Sequence, residues 1–394
     1  MSPTADRDLA ALRIAIDGGD PEAMLRLASA LAQRGETEQA FAMRKRAAIE
    51  GHAPAQTALG RMLLRGEGCL PDPRTAVYWL RRAEATGDAE ASYHLAFVSL
   101  GGVAMPRDGR INERVLAAVQ GDFPLALRAA AIHFGRKRHE VDQSACVRLL
   151  ERAANYGDAI AAQLLAERSM RGEGCPVDAE AAHRIQRRLS ELGVPALPDI
   201  AIPAAERETK EMPPGTIALE DILHAQSART LSETPRVLQI DGLLSADECR
   251  FLIATAQAGG GDANERSIDI AGEDLAVRLI EVRMARSARM ELAQAEPLLL
   301  SRFGAAQPYL PGAGEAAPDD PDERLRTIHV FLNTVEGGGG IAFDASGPIA
   351  AAAGRAVIVD GIAPVDDAPA RPSTAGAHKW LATLRFRRRR FRSF

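Results

Sequence analysis

The chain has 394 residues, of which 46% are hydrophobic and 26% are charged, and its formal net charge is −5. This length exceeds one ordinary hydrophobic core and predicts two or three domains of roughly 100–200 residues each. No apolar run reaches the roughly 18 residues that a membrane-spanning helix needs. Residues 1–20 lack the residue order of a secretory signal, and a negative net charge gives no general attraction to nucleic acid. We therefore expect a cytoplasmic, globular protein.

Lysine and cysteine are both scarce. Arginine supplies nearly all of the positive charge, which is typical of high-GC coding and favours a bacterial source; the only lysines are Lys45, Lys137, Lys210 and Lys379. The four cysteines show no C-x-x-C pair and stand at Cys69, Cys146, Cys175 and Cys249. Their scatter predicts small buried hydrophobes, with neither a disulfide framework nor a zinc site.

Residues 1–193 show internal repetition, marked by glycines at a nearly fixed spacing: Gly51, Gly87, Gly121, Gly157 and Gly193, which lie 36, 34, 36 and 36 residues apart. A period of this size predicts stacked helical pairs, each closed by a glycine in the left-handed conformation. The first helix of one pair lies at residues 55–64, the loop is Arg65-Gly66-Glu67-Gly68-Cys69, and an apolar stripe on residues 76–83 predicts the second helix. The loop recurs as Arg171-Gly172-Glu173-Gly174-Cys175.

This pattern resembles the Sel-one-like repeats, which are relatives of tetratricopeptide repeats. About five units cover residues 20–193; the third and fourth units have degraded loops. The resemblance implies an all-α solenoid whose concave face binds another protein. The alternative is that the repeats only support the rest of the chain.

A change of texture follows Gly193. Residues 194–234 contain five prolines and alternating charges, which predicts a linker, and residues 217–229 could form a short amphipathic helix.

Residues 235–394 predict a third segment that mixes helices and strands. After a strand from Val237, Ser245 and Glu248 form a capping box for a helix through Ala256. A second helix is predicted at residues 273–290, and strands at 297–303, 327–332, 355–359 and 380–387. Helices followed by many strands predict an α+β domain, here a helix-backed β-sandwich.

Short motifs in this segment resemble the prolyl 4-hydroxylase branch of the 2-oxoglutarate and Fe(II)-dependent dioxygenases. The matching pieces share the family's order over about 160 residues and include Leu244–Cys249, Glu296–Leu299, Arg302-Phe303-Gly304, Phe331-Leu332-Asn333, Gly354–Ala356 and Lys379–Thr383. The resemblance implies a double-stranded β-helix (jelly-roll-like) core. It also implies iron held by two histidines and one carboxylate.

The residues at the implied iron-ligand positions cannot bind a metal. The family's His-x-Asp falls on Gly312 and Gly314, and its second histidine falls near Ala368 or Pro369. We therefore predict no metal site, no catalytic residue and no cofactor. A rebuilt site would need His329 and His378 to converge with Glu315, Asp319 or Asp320.

The implied cosubstrate contacts are present. Lys379 matches the family's lysine that pairs with the distal carboxylate of 2-oxoglutarate, and Tyr309 matches a tyrosine of the same pocket. The alternative for Lys379 is that Trp380 is retained for packing and the lysine lies along it. Residues 385–394 carry arginines and phenylalanines that could attract RNA, but a last strand with solvated arginines explains them equally simply.

These observations favour a protein-interaction scaffold that carries an inactive dioxygenase-like domain. Two alternatives remain: an active 2-oxoglutarate and Fe(II)-dependent protein hydroxylase, and a metal-free 2-oxoglutarate sensor.

Overall fold

The computed structural model divides the chain into two compact units, one holding the residues up to Phe123 with Ser393 and Phe394, the other holding Pro124–Arg392. The structure describes residues 15–137, 139–197, 215–223, 226–234, 236–258, 265–267, 273–303, 324–335, 341–343, 347–360 and 378–394. The predicted boundaries at 193 and 234 stay predictions.

The first unit is helical, and each helix packs against the next. The helices are α1 (Pro21–Gln33), α2 (Thr37–Ile49), α3 (Ala53–Arg65), α4 (Pro73–Glu84), α5 (Ala89–Gly101) and α6 (Ile111–Gln120). Asp20, Asp72 and Asp88 cap three of them, since each side chain accepts a backbone N–H of the first turn. Small buried alanines, among them Ala40, Ala55 and Ala76, allow this close packing.

The second unit continues with four helices: α7 (Pro124–Gly135), α8 (Glu140–Asn155), α9 (Ala159–Arg171) and α10 (Ala179–Glu191). The prediction of helical pairs over these residues is correct. Gly51, Gly87, Gly157 and Gly193 have φ of 90°, 86°, 90° and 74°. Gly121 is the exception with φ of −82°, and Asp122 takes the left-handed conformation there with φ of 57°.

The rest of the second unit mixes strands and helices. Its strands are β1 (Arg229–Glu233), β2 (Arg236–Ile240), β3 (Glu265–Ser267), β4 (Leu299–Phe303), β5 (Arg324–Phe331), β6 (Ile341–Phe343), β7 (Gly347–Ile349), β8 (Ala356–Asp360) and β9 (Lys379–Arg387). Its helices are α11 (Ala246–Gln257) and α12 (Leu275–Ser287), with 3-10 turns at Leu219–Leu223 and Leu292–Gln294. The capping box is confirmed: Ser245 N donates to Glu248 Oε2 at 2.8 Å, and Glu248 N donates to Ser245 Oγ at 3.3 Å.

Two elements differ from the sequence prediction. The amphipathic stretch 217–229 forms only one 3-10 turn, and β1 begins at its last residue, inside the segment predicted as a linker. Strand β2 ends at Ile240 although the apolar run continues to Leu244. The chain turns at Gly242, which has φ of 66°, and Leu243 and Leu244 are buried outside the sheet.

Seven strands form an antiparallel sheet in the order β1-β2-β8-β5-β9-β4-β3, and β6 and β7 form a separate pair. One face of the large sheet, called here the inner face, joins Phe331, Val357 and Leu381 to Ile341 and Ile349 of the small pair. The opposite face buries Ile328, Leu384 and Leu300, and α11 contacts β4 while α12 contacts β9. The α+β architecture is therefore an antiparallel sheet with helices on one side and a two-stranded sheet on the other.

The second glycine of the repeated G-x-G loop is fixed by backbone contact. A Cβ on Gly68 would collide with the carbonyl oxygen of Thr37, and one on Gly174 would collide with that of Gln143. Both glycines have positive φ, 69° and 78°. Thr37 and Gln143 are themselves 106 residues apart, like the glycines, so the loop rests on the preceding unit's helix in the same way in both copies.

We predict that Gly174→Ala lowers the urea midpoint more than Gly193→Ala does. Both changes carry the left-handed strain of about 1–3 kcal/mol, but nothing lies within 4 Å of a Cβ on Gly193, whereas residue 174 must also push its backbone away from Gln143. Equal midpoints for the two variants would show that the loop contact does not constrain the fold.

Candidate functional site

The predicted cosubstrate lysine lies at the start of β9, on the inner face of the sheet. Lys379 is 5% exposed. It pairs across the ladder with Phe303 of β4, and its Nζ lies 5.2 Å from the centre of the Phe303 ring. A buried ammonium at one end of an apolar face is a place where a carboxylate would gain a charge-assisted hydrogen bond.

A side-chain clamp holds the first residues of β9. Asn333 Oδ1 accepts the Trp380 N–H at 2.8 Å, and Asn333 Nδ2 donates to the His378 carbonyl at 2.8 Å. Trp380 is buried on the opposite face from Lys379, and the Arg302 guanidinium lies 6.0 Å from its ring centre. Both readings of the lysine retain support, because Trp380 packs in the core and Lys379 is itself enclosed.

His329 is a neutral polar group inside the sheet. Its Nδ1 lies 3.0 Å from Thr383 Oγ1, and burial, with a smaller effect of the Arg385 charge, lowers its pKa to about 3. His378 is exposed and lies five residues along the chain from Thr383, about 16 Å in an extended strand. The structure therefore does not bring the rings of His329 and His378 together, and the rebuilt iron site loses its histidine pair.

Most of the other predicted site residues lie outside the described ranges: Tyr309, Gly312, Gly314, Glu315, Asp319, Asp320, Ala368 and Pro369. Within the described ranges, no three His, Cys, Asp or Glu side chains are grouped so that they could hold a metal ion. The absence of iron ligands remains a prediction from the sequence.

Charged side chains on the repeat helices of the second unit bind the first turns of α11 and α12. Arg168 of α9 donates from Nη2 to Asp247 Oδ2 at 2.8 Å and from Nε to Asp247 Oδ1 at 3.1 Å. Arg136, just after α7, pairs with Glu248. Arg128 of α7 reaches Asp274, the N-cap of α12, at 2.5 Å. We call Arg128, Arg136, Arg168 and their three carboxylates the docking cluster.

Further contacts surround the docking cluster. Arg250 of α11 donates to both carboxylate oxygens of Glu173 in the G-x-G loop, at 2.5 and 3.0 Å. Lys137 Nζ donates to the Thr216 carbonyl at 2.8 Å. Gly135 leaves room for the closest approach, since a Cβ there would lie 2.7 Å from Asp247 Oδ2.

Burial and ion pairing act against each other in the docking cluster. Burial raises the pKa of Glu248, but Arg136 and Arg283 outweigh it and hold that pKa at about 2. For Asp247 burial prevails and raises the pKa above its usual value, although Arg168 and Arg250 oppose it. His133 of α7 accepts the Ala218 N–H at 3.3 Å, and burial followed by the charges of Lys137 and Arg136 lowers its pKa to about 3.

The docking cluster occupies a position that is apolar in another repeat. Arg168 corresponds to Met62, because Cys175 Sγ and Cys69 Sγ donate to the carbonyls of these two residues at 3.9 and 3.8 Å. Sequence reasoning missed the cluster, although the signal was present. An arginine where the matching unit has methionine indicates a charge that needs a partner from outside the repeat.

The same repeats carry an open groove of about 370 Å³ between α8, α9 and α10. Its wall is apolar at Ala162, Ile185 and Leu189, with Glu151 and Arg188 also lining it. Leu192, 71% exposed, stands on its edge.

Three segments of the chain match the model of the Sel1 repeat: residues 53–88, 124–158 and 159–193. These are the second, fourth and fifth predicted units, so the chain contains Sel1 repeats, and repeats of this kind support a protein-interaction role. No curated protein matches the chain. No single described helix is long and apolar enough to cross a membrane; the bent pair Ile111–Gln120 and Pro124–Gly135 passes by length and composition, and most of its residues are buried.

Several solved structures are similar to parts of the chain. A Sel1 repeat protein from Oxalobacter formigenes is 25% identical over 47% of this chain and 55% of its own, with a TM-score of 0.42. A viral collagen prolyl hydroxylase from Paramecium bursaria Chlorella virus-1 is 21% identical over 42% of this chain and 96% of its own, with a TM-score of 0.31. For a Pseudomonas putida prolyl-4-hydroxylase the values are 18%, 39%, 92% and 0.29. The chain spans about half the length of the Oxalobacter protein.

We predict that Arg168→Met, which restores the residue of the matching repeat, destabilises the second unit by about 3–5 kcal/mol, because Asp247 stays buried without its cation. The double variant Arg168→Met/Asp247→Leu should recover most of that loss. Arg171→Met is the matched control on the same helix. Its partner Glu167 lies 3.3 Å away and Arg171 is 34% exposed, so we expect a change within about 0.5 kcal/mol. Urea unfolding measures all three. Equal losses for the two single variants would contradict a role of Arg168 in holding α11.

Proposed function

We propose that this protein is a protein-binding scaffold whose Sel1 repeats carry a prolyl 4-hydroxylase-like domain that performs no iron chemistry. One observation carries the scaffold part: the repeats already recognise a helix through Arg168 and Arg136, which bind Asp247 and Glu248 at the first turn of α11. The ligand here is a segment of the same chain, but the contacts are those of a protein interface.

The sequence supports the noncatalytic part. Glycine has no side chain that can coordinate a metal, and it stands at both positions of the first ligand motif, Gly312 and Gly314. His329 is engaged with Thr383 deep in the sheet. The proposal includes a double-stranded β-helix core, supported by the antiparallel sheet whose inner face is covered by β6 and β7. A bacterial cytoplasm is also part of the proposal, and the four free thiols fit it.

We predict that the full-length protein, supplied with Fe(II) and 2-oxoglutarate, releases no more succinate than a protein-free control, while an active prolyl 4-hydroxylase assayed in parallel does. Chemical cross-linking of the same preparation to a co-purified protein should join that protein to the repeat helices, residues 21–191. Iron-dependent succinate release would contradict the noncatalytic part. Cross-links confined to residues 215–394 would contradict the scaffold part.

A second candidate function is metal-free binding of 2-oxoglutarate, favoured by the enclosed Lys379 beside Phe303. Pairing with one carboxylate contributes on the order of 1.5–3 kcal/mol. Without iron to chelate the keto-acid end, we expect a dissociation constant no tighter than about 1 mM, equivalent to about −4 kcal/mol.

We predict no thermal shift with millimolar 2-oxoglutarate, in either the native protein or Lys379→Ala, because one ion pair does not offset the cost of ordering the ligand. Succinate is the matched control ligand, since it keeps both carboxylates and lacks the keto group. A stabilisation of the native protein that disappears in Lys379→Ala would instead establish the sensor function.

A further inference from the structure

A second group of arginines lies in the first compact unit, where α2 and α3 meet. Arg61 Nη1 lies 2.7 Å from Glu90, and Arg65 Nη1 lies 3.0 Å from Glu67. Arg44 Nη1 donates to the sulfur of Met62 at 3.1 Å. Three guanidinium groups therefore meet two carboxylates, which leaves one positive charge in excess. We call Arg44, Arg61 and Arg65 the α2–α3 arginine cluster.

Arg44 is the least neutralised member. Burial lowers its pKa, the Glu67 charge opposes this, and the Arg61 charge lowers it further. Its Nε is buried and has no hydrogen-bond partner among the described residues. The other two side chains reach solvent, Arg61 being 34% and Arg65 24% exposed. The cluster is thus accessible and short of negative charge.

The fifth repeat shows what the same surface does when it is neutral. The residues that correspond to Arg44, Arg61, Arg65 and Glu67, 106 positions later, are Leu150, Glu167, Arg171 and Glu173. There Arg171 pairs with Glu167 at 3.3 Å. Glu173 and Arg168 are left to hold Arg250 and Asp247 of α11. A balanced surface accepts a segment that brings one cation and one anion.

We propose that the α2–α3 arginine cluster binds an acidic segment of a partner protein, namely the carboxylate-rich first turn of a helix. This inference rests on the proposed scaffold function and names the partner's chemistry. The guanidinium fork suits paired carboxylate oxygens, and the geometry is the one Arg168 adopts with Asp247, where both oxygens are held. The excess positive charge selects a segment without the arginine that α11 carries at position 250.

The test uses the full-length protein and a fluorescent peptide with the sequence of residues 243–257 carrying Cys249→Ser and Arg250→Glu. We expect binding at low ionic strength that weakens as salt is added. Arg61→Gln/Arg65→Gln should weaken it about tenfold or more. The matched control Arg81→Gln/Arg82→Gln removes two exposed arginines from α4 of the same repeat and should change affinity less than about twofold.

A neutral peptide with Asp247→Asn, Glu248→Gln, Cys249→Ser and Arg250→Gln keeps the apolar face and should bind at least about tenfold more weakly. The proposal is overturned if the acidic peptide does not bind, if the two arginine pairs contribute equally, or if the neutral peptide binds as well. It is also overturned if single-stranded RNA binds more tightly through Arg61 and Arg65, since that would make the cluster a nucleic-acid surface. Failure here leaves the scaffold function to be judged separately by the cross-linking measurement.

Discussion

The pairing of buried carboxylates at the first turns of α11 and α12 with arginines of the repeat helices is the interaction on which the second unit depends. Asp247, Glu248 and Asp274 lie where helix N-termini already favour negative charge, and Arg168, Arg136 and Arg128 complete their neutralisation. Buried ion pairs of this kind add little stability against an apolar alternative, but they tolerate almost no wrong partner, because any unpaired member stays buried with its charge. The interface is therefore specific more than it is strong, and it explains why residues 124–191 belong to the same compact unit as the sheet.

That attachment gives the sheet a defined place to present its inner face. Strand β9 connects the two parts of the candidate site: Lys379 opens it on the inner face, Thr383 holds His329 in its middle, and Leu384 packs on the opposite side. The Asn333 clamp fixes the first two residues of the strand. The end of the inner face is therefore ordered by backbone and side-chain contacts that require neither metal nor cosubstrate.

Regular patterns made much of the architecture predictable. The glycine period predicted the helical pairs, and Ser245 with Glu248 predicted the start of α11, because both are local signals whose meaning does not depend on distant residues. Strand β1 was not predictable, since Arg229–Glu233 has little apolar alternation and pairs with β2 only through tertiary contact. The docking cluster was visible only by comparing repeats, because an arginine such as Arg168 has ordinary helix propensity. The exchange becomes evident when Leu150 and Arg168 are set beside Arg44 and Met62: the cation moves from one helix of the pair to the other.

That exchange restricts how the gene can change. Arrays of similar repeats commonly gain and lose whole units by unequal recombination, since each unit contacts only its neighbours. Between Arg128 and Arg168 this freedom is lost, because the two arginines must remain one repeat apart to reach Asp274 and Asp247 together. A duplicated or deleted unit there would separate charges that were selected as a set, so the copy number of the last repeats is fixed even though their sequences can drift.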